Sequence, residues 1–261
     1  MSYGSLPSAR AASARALRPT IAERAVVGTF QIIASPTVTE VLAVAGADVI
    51  VADAEHAAFD LPILEQFVRA GEFRGASVVI RVPGIGLDLS RALDTGAAGV
   101  VVPRVESASE AEAIVRATRF PPMGARGIGP ARATAYGLDV PTYRASANDD
   151  LLVVAMIETS AGLDAVDEIV TVDGIDLIMV GPADLASSLG TTVGSPEHAD
   201  AVTRILEAAH AAGRQTGIHC ADAAEAERYR QRGVRLLLIG TDVSFLASTA
   251  STEFSGAAAD D

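Results

Sequence analysis

The sequence predicts a single (β/α)8 barrel, a TIM barrel of the α/β class, and three observations carry that expectation. Eight short runs rich in Val and Ile recur along the 261 residues at intervals of roughly 20 to 40 positions. The segments between them have helix-forming content, and several end in glycine. Charged residues stand at or just after the ends of seven of the eight runs, where a barrel builds its working rim.

The runs are residues 25–32 (AVVGTFQI), 49–53 (VIVAD), 78–82 (VVIRV), 99–103 (GVVVP), 151–158 (LLVVAMIE), 177–181 (LIMVG), 215–219 (QTGIH) and 236–240 (LLLIG). They are continuous rather than alternating, as strands buried on both faces read. Among the intervening segments, residues 62–70 (PILEQFVRA) open with Pro in a first turn. Residues 109–118, 161–170, 196–212 and 223–232 read as helices, and Gly71, Gly96, Gly213 and Gly233 read as their terminators. Strand–helix alternation repeated eight times implies a parallel sheet that can close. An open doubly wound sheet alternates in the same way, but no G-x-G-x-x-G follows the first run. Residues 25–250 are assigned to the barrel. Residues 1–24, rich in Ala, Ser and Arg, read as a helical or flexible lead-in in preference to a transit peptide. Residues 251–261 read as an acidic tail.

Composition excludes several classes of function. A net charge of −13 repels polyphosphate and anionic lipid, so neither nucleic acid nor a membrane is an expected partner. No apolar run approaches the roughly 20 residues of a spanning helix. One cysteine, Cys220, permits no internal disulfide and no thiolate cluster, and it fits a reducing, cytoplasmic setting. All 20 basic residues are arginine. A chain without lysine cannot form a Schiff base, which excludes amine-dependent aldolases and pyridoxal phosphate enzymes.

Rim chemistry follows from the strand ends. Asp53, Glu55 and His56 close the second run, Arg81 the third, Glu158 the fifth and His219 the seventh; Arg104, Asp184 and Asp242 follow the fourth, sixth and eighth. Glu158 and Asp184 belong to consecutive strands, which lie about 4.8 Å apart. Two carboxylates so placed suit one small divalent cation, Mg2+ or Mn2+ by their all-oxygen donors, with Co2+ also compatible. Two protein ligands leave positions open for the keto and carboxylate oxygens of a 2-oxo acid, and the cation would stabilise its enolate. The turn Gly181-Pro182-Ala183 exposes backbone N–H groups that suit a substrate carboxylate, and Arg81 adds a charged contact. His56, in a carboxylate-rich stretch with Asp53, is the natural acid–base residue.

These residues resemble the HpcH/HpaI aldolase family of metal-dependent pyruvate aldolases, which includes 4-hydroxy-2-oxoheptanedioate and 2-dehydro-3-deoxyglucarate aldolases. The matching stretches are DAEHAAFD (53–60), RVPG (81–84), ALDTGAAGVVVPRVES (92–107), ATRFPPMGARGIG (117–129), IET (157–159) and GPADLASSLG (181–190). The resemblance implies a barrel of the phosphoenolpyruvate/pyruvate type. It implies a cation held by Glu158 and Asp184, His56 as a base acting through water, and Arg81 stabilising developing charge. It also implies Asp94 in support of His56, and a hexamer, a trimer of dimers with exchanged C-terminal helices. Phe30 stands where the family often has Trp, Met156 where many members have a substrate-contacting Gln, and Ala54 where Gly is common. The segment between Arg81 and Asp94 is one residue shorter.

The expected activity is reversible cleavage of a 4-hydroxy-2-oxo acid to pyruvate, or hydroxypyruvate, and an aldehyde. The alternative enzyme is a CoA-ester lyase of the citrate or malyl-CoA type, for which Arg126 and Arg132 could form part of a phosphate patch. A non-catalytic ligand-binding protein is the third reading.

Overall fold

The computed structural model describes residues 17–257. Eight parallel strands close in chain order: β1 Val26–Gln31, β2 Val49–Asp53, β3 Ser77–Arg81, β4 Gly99–Val102, β5 Leu152–Ile157, β6 Leu177–Val180, β7 Gln215–Cys220 and β8 Leu236–Thr241. Every predicted run is a strand, with ends moved by a residue or two. β4 stops before Pro103 because proline has no N–H to give the ladder.

The helices are α1 Leu17–Glu23, α2 Pro36–Val44, α3 Leu61–Arg74, α4 Leu87–Asp94, α5 Ala108–Thr118, α6 Val140–Asp150, α7 Ser160–Asp164, α8 Val166–Ile169, α9 Pro182–Ser188, α10 Pro196–Ala211, α11 Ala223–Gln231 and α12 Asp242–Ala257. Side-chain caps start several of them. Asp60, Ser107, Thr159, Ser195 and Asp222 each accept the N–H three residues on.

Two apolar layers account for the unbroken hydrophobic runs. Residues such as Ile80, Val100, Val153 and Ile218 pack outward against Phe67, Leu93, Ile114 and Ile205 of the helices. Their neighbours Val51, Val79, Val101, Val154, Met179 and Leu238 fill the lumen. Leu17 and Ile21 of α1 join the lumen cluster beside Val26 and Leu236, so the lead-in helix plugs the N-terminal end. Residues 1–16 lie outside the described chain.

Three sequence expectations change. Gly71 does not end α3, which runs to Arg74 and is closed by Gly75 at φ 80°. A side chain at Gly71 would meet Val78 at 2.6 Å, so this glycine lets α3 lie close on β3. The helix expected over residues 161–170 is two short ones that meet at Ala165. α12 runs on to Ala257, past residue 251, where the tail was expected to begin.

Candidate active site

Alternation along the strands sets which side chains reach the lumen at its C-terminal end. Phe30 of β1, Asp53 of β2, Arg81 of β3 and His219 of β7 share the phase of the lumen-filling residues below them. Glu158 continues the phase of Val154 and Met156 past the end of β5.

Arg81 organises the cluster. Its Nε and Nη2 donate to Asp53 Oδ1 and Oδ2 at 2.9 and 2.7 Å, a bidentate pair on adjacent strands. Its Nη1 lies 3.3 Å from Glu55 Oε2, and its guanidinium sits 4.8 Å from the Phe30 ring centroid. Burial lowers the affinity of Arg81 for its proton, but Asp53, Glu55 and Glu158 more than compensate, and its pKa is raised.

Glu158 is 2% exposed. Its Oε1 accepts the Arg104 backbone N–H at 2.9 Å. Arg104 holds a left-handed φ of 53°, a strained conformation that aims this N–H into the site. Gly181, at the end of β6, has no room for a Cβ because the Glu158 carboxylate occupies that space. Burial is the main reason that the Glu158 carboxyl is pushed from 4.5 up to about 7, opposed by the Arg104 N–H and reinforced by the charges of Asp184 and Glu55. Glu55 is also raised, again chiefly by burial. Its Oε2 is buried without a hydrogen-bond partner.

Asp184 is exposed in the first turn of α9, close enough to act on both carboxyls. Pro182 is half-buried, and its carbonyl lies 3.0 Å from His198 Nε2. Gly194 N–H donates to His198 Nδ1, so the ring proton is on Nε2 and His198 pins the turn. Ala183 is exposed, and no side chain caps α9.

His56 stands exposed on the rim with its Nε2 3.7 Å from Glu55 Oε2. Its backbone N–H, like that of Glu55, points at Asp53 Oδ1. Asp53 therefore locks Arg81 and the DAEH turn together and does not touch the His56 ring. Asp94 is elsewhere. It is the last residue of α4, which runs back from the rim, so its carboxylate lies toward the opposite end of the barrel and pairs with Arg126 at 2.8 Å. Within one chain, Glu55 and not Asp94 is the carboxylate beside His56.

The sequence reading passed over two contributors. Glu55 was visible only as one charge in DAEH. The Arg104 N–H could not be seen at all, because a backbone angle creates it. Arg126 and Arg132, candidates for a phosphate patch, are engaged: Arg126 is wholly buried against Asp94 and Tyr143, and Arg132 pairs with Glu72.

The site has the donor set of a two-carboxylate cation centre. Glu158 and Asp184 are both anionic oxygen donors, desolvation penalises the Glu158 charge, and Glu55, ion-paired with Arg81 but without a hydrogen bond at Oε2, adds negative potential. A divalent cation would offset both the desolvation and the mutual repulsion of these carboxylates. Among the described residues no three His, Cys, Asp or Glu side chains cluster as ligands.

The electrostatics make a testable prediction. Glu158 binds its proton more tightly folded than unfolded, so its favourable contribution is complete below about pH 4.5 and is lost as pH rises through about 7. The shift corresponds to roughly 3 kcal/mol. In chelator, Glu158→Gln is expected to melt several degrees above wild type near pH 8, with the gap closing toward about pH 5. A pH-independent gap would contradict the buried charge.

The chain is similar to known proteins over most of its length. The family model for HpcH/HpaI aldolase/citrate lyase matches residues 27–249. A hydroxypyruvate/pyruvate aldolase of Roseovarius nubinhibens is 43% identical over 222 residues, covering 83% of this chain and 86% of that protein. A 5-keto-4-deoxy-D-glucarate aldolase of Salmonella paratyphi C is 37% identical, covering 87% and 91%. A crystal structure of a family protein from Burkholderia cenocepacia J2315 superposes with a TM-score of 0.88 at 34% identity, covering 94% of this chain and 99% of that one. By its sequence and its closed barrel, the chain belongs to the HpcH/HpaI aldolase/citrate lyase family.

Proposed function

We propose that the protein is a class II pyruvate aldolase, an aldehyde-lyase that reversibly cleaves a 4-hydroxy-2-oxo acid to pyruvate or hydroxypyruvate and an aldehyde. The observation that carries this reading is the convergence of Glu158, Asp184 and Arg81 on one rim in a chain without lysine. Aldolase activity in the relatives from Roseovarius and Salmonella supports it.

Glu158 and Asp184 would hold Mg2+, Mn2+ or Co2+. When bound, the cation polarises the substrate ketone as a Lewis acid. The α9 turn at Gly181-Pro182-Ala183 offers backbone N–H groups to the substrate carboxylate. Arg81, held rigid by Asp53, lies where negative charge develops on the keto oxygen and stabilises it. His56, beside Glu55, removes the 4-hydroxyl proton directly or through water, and C–C scission follows. His56 then serves in returning a proton to the enolate carbon. The burial of Arg126 and the pairing of Arg132 disfavour a CoA-ester lyase.

In D2O with Mg2+, the protein should exchange the methyl protons of pyruvate. Exchange should cease with EDTA and fall at least about 100-fold in His56→Asn. Exchange that persists in chelator would overturn the cation-assisted reading.

The reading extends to assembly. α12 carries Val243, Phe245, Leu246 and Phe254, exposed at 41–74%, and Val27 on the outer face of β1 is 39% exposed. An apolar helix on one copy suits the uncovered β1 face of another, as in a hexamer with exchanged helices. Leu246→Asp with Phe254→Asp should lower the mass measured by light scattering, whereas an unchanged oligomer would refute exchange through α12. The Cys220 thiol, buried and pushed up to about 12 chiefly by desolvation, is inert and fits a cytoplasmic location. Among the described residues no helix is long and apolar enough to cross a membrane.

A further inference from the structure

His219 has no part in the chemistry described above, yet it faces the same lumen. Its strand neighbours Ile218 and Cys220 are wholly buried in the helix-side layer, which turns His219 inward. β6 and β7 pair with Val180 opposite Ile218, so the next pair brings His219 level with Gly181, the residue against which Glu158 packs. On its other side the imidazole meets Phe30, with ring centroids 5.9 Å apart and planes at 51°.

The hydrogen bonding of the ring is defined. Nε2 lies 3.2 Å from the Gly240 carbonyl, which only accepts, so Nε2 carries the proton. Burial pulls the imidazole below its ordinary pKa, with the Arg81 charge acting in the same direction against the Gly240 bond and Glu225, which favours the neutral ring. Nδ1 therefore presents a lone pair. Among the described residues no donor is bonded to it, and it is not one of the buried orphaned atoms, so it opens to the half-exposed mouth.

The site divides by chemistry. Arg81, the carboxylate pair and the α9 turn are charged or donor groups suited to a 2-oxo acid. Phe30 and His219 form a wall that is apolar except for this single acceptor. We propose that His219 Nδ1 accepts a hydrogen bond from a hydroxyl of the aldehyde component, so that the enzyme prefers hydroxyaldehydes to their deoxy analogues. The proposal rests on the aldolase reading for its substrate and deepens it.

The test compares glycolaldehyde with acetaldehyde as acceptors for pyruvate and Mg2+. Wild type should favour glycolaldehyde in kcat/KM by about tenfold beyond the ratio shown by His219→Leu. His219→Gln, whose amide can donate to Gly240 and offer an oxygen to the lumen, should restore the preference. An unchanged ratio in His219→Leu overturns the proposal while pyruvate proton exchange still stands. A second arm is independent of turnover. In 15N-histidine-labelled protein with pyruvate and Mg2+, the His219 Nδ1 resonance should move on titration with glycolaldehyde and not with acetaldehyde. If neither exchange nor aldol formation occurs, the aldolase reading fails, and this resonance alone decides whether His219 receives a hydroxyl; no movement overturns it.

Discussion

Glu158→Ala and Asp184→Ala should each lower kcat for retro-aldol cleavage by at least about 1,000-fold while leaving the fold intact. The two carboxylates fail for different reasons. Glu158 is buried, held by the Arg104 N–H and packed against Gly181, so its loss removes a fixed donor. Asp184 is exposed on α9, so its loss removes a donor that ordering by a cation would bring into play. Neither substitution should unfold the protein. Glu158→Ala deletes a desolvated charge, and the small cavity it leaves offsets only part of that gain. The checks are steady-state kinetics across a Mg2+ titration and melting with and without EDTA. Wild type should gain stability from Mg2+ through preferential binding to the native state, and both variants should lose that gain. Full turnover by either variant in chelator-treated buffer would end the two-carboxylate account.

Arg81→Lys should cost nearly as much as Arg81→Ala, about 100- to 1,000-fold in kcat. Arg81 makes two parallel bonds to Asp53, faces Glu55 and covers Phe30. An ammonium group can satisfy one of these contacts but not the fork and the ring face together. Arg81→Ala also leaves Asp53 buried at 2% exposure without its counter-ion, so it should lower the melting temperature as well as the rate. Arg81→Lys should melt between the two. The comparison separates positive charge from guanidinium geometry, and near-wild-type kcat in Arg81→Lys would show that charge alone suffices.

The barrel was legible because its strands are buried on both faces. That burial writes eight Val- and Ile-rich runs into the sequence, and the same repetition places Glu158, Asp184 and Arg81 at or just past strand ends. Helices were less legible. α2, α4, α6, α9 and α12 are short, proline-opened or weakly patterned, and tertiary packing decides them. Gly71 shows the same limit: glycine at a helix end and glycine at a helix–strand contact look identical in one dimension, and only the 2.6 Å approach of Val78 distinguishes them.

The sequence by itself determined the closed barrel, the lack of a lysine nucleophile and the identity of the rim carboxylates, because periodicity and composition survive without coordinates. The tertiary structure decided which groups meet. It put Asp94 with Arg126 and Glu55 beside His56, turned the Arg104 N–H onto Glu158, and set the His219 ring between Gly240 and Phe30. Those pairings depend on strand phase, on helix direction and on one left-handed backbone angle, and none of the three leaves a signature in residue order.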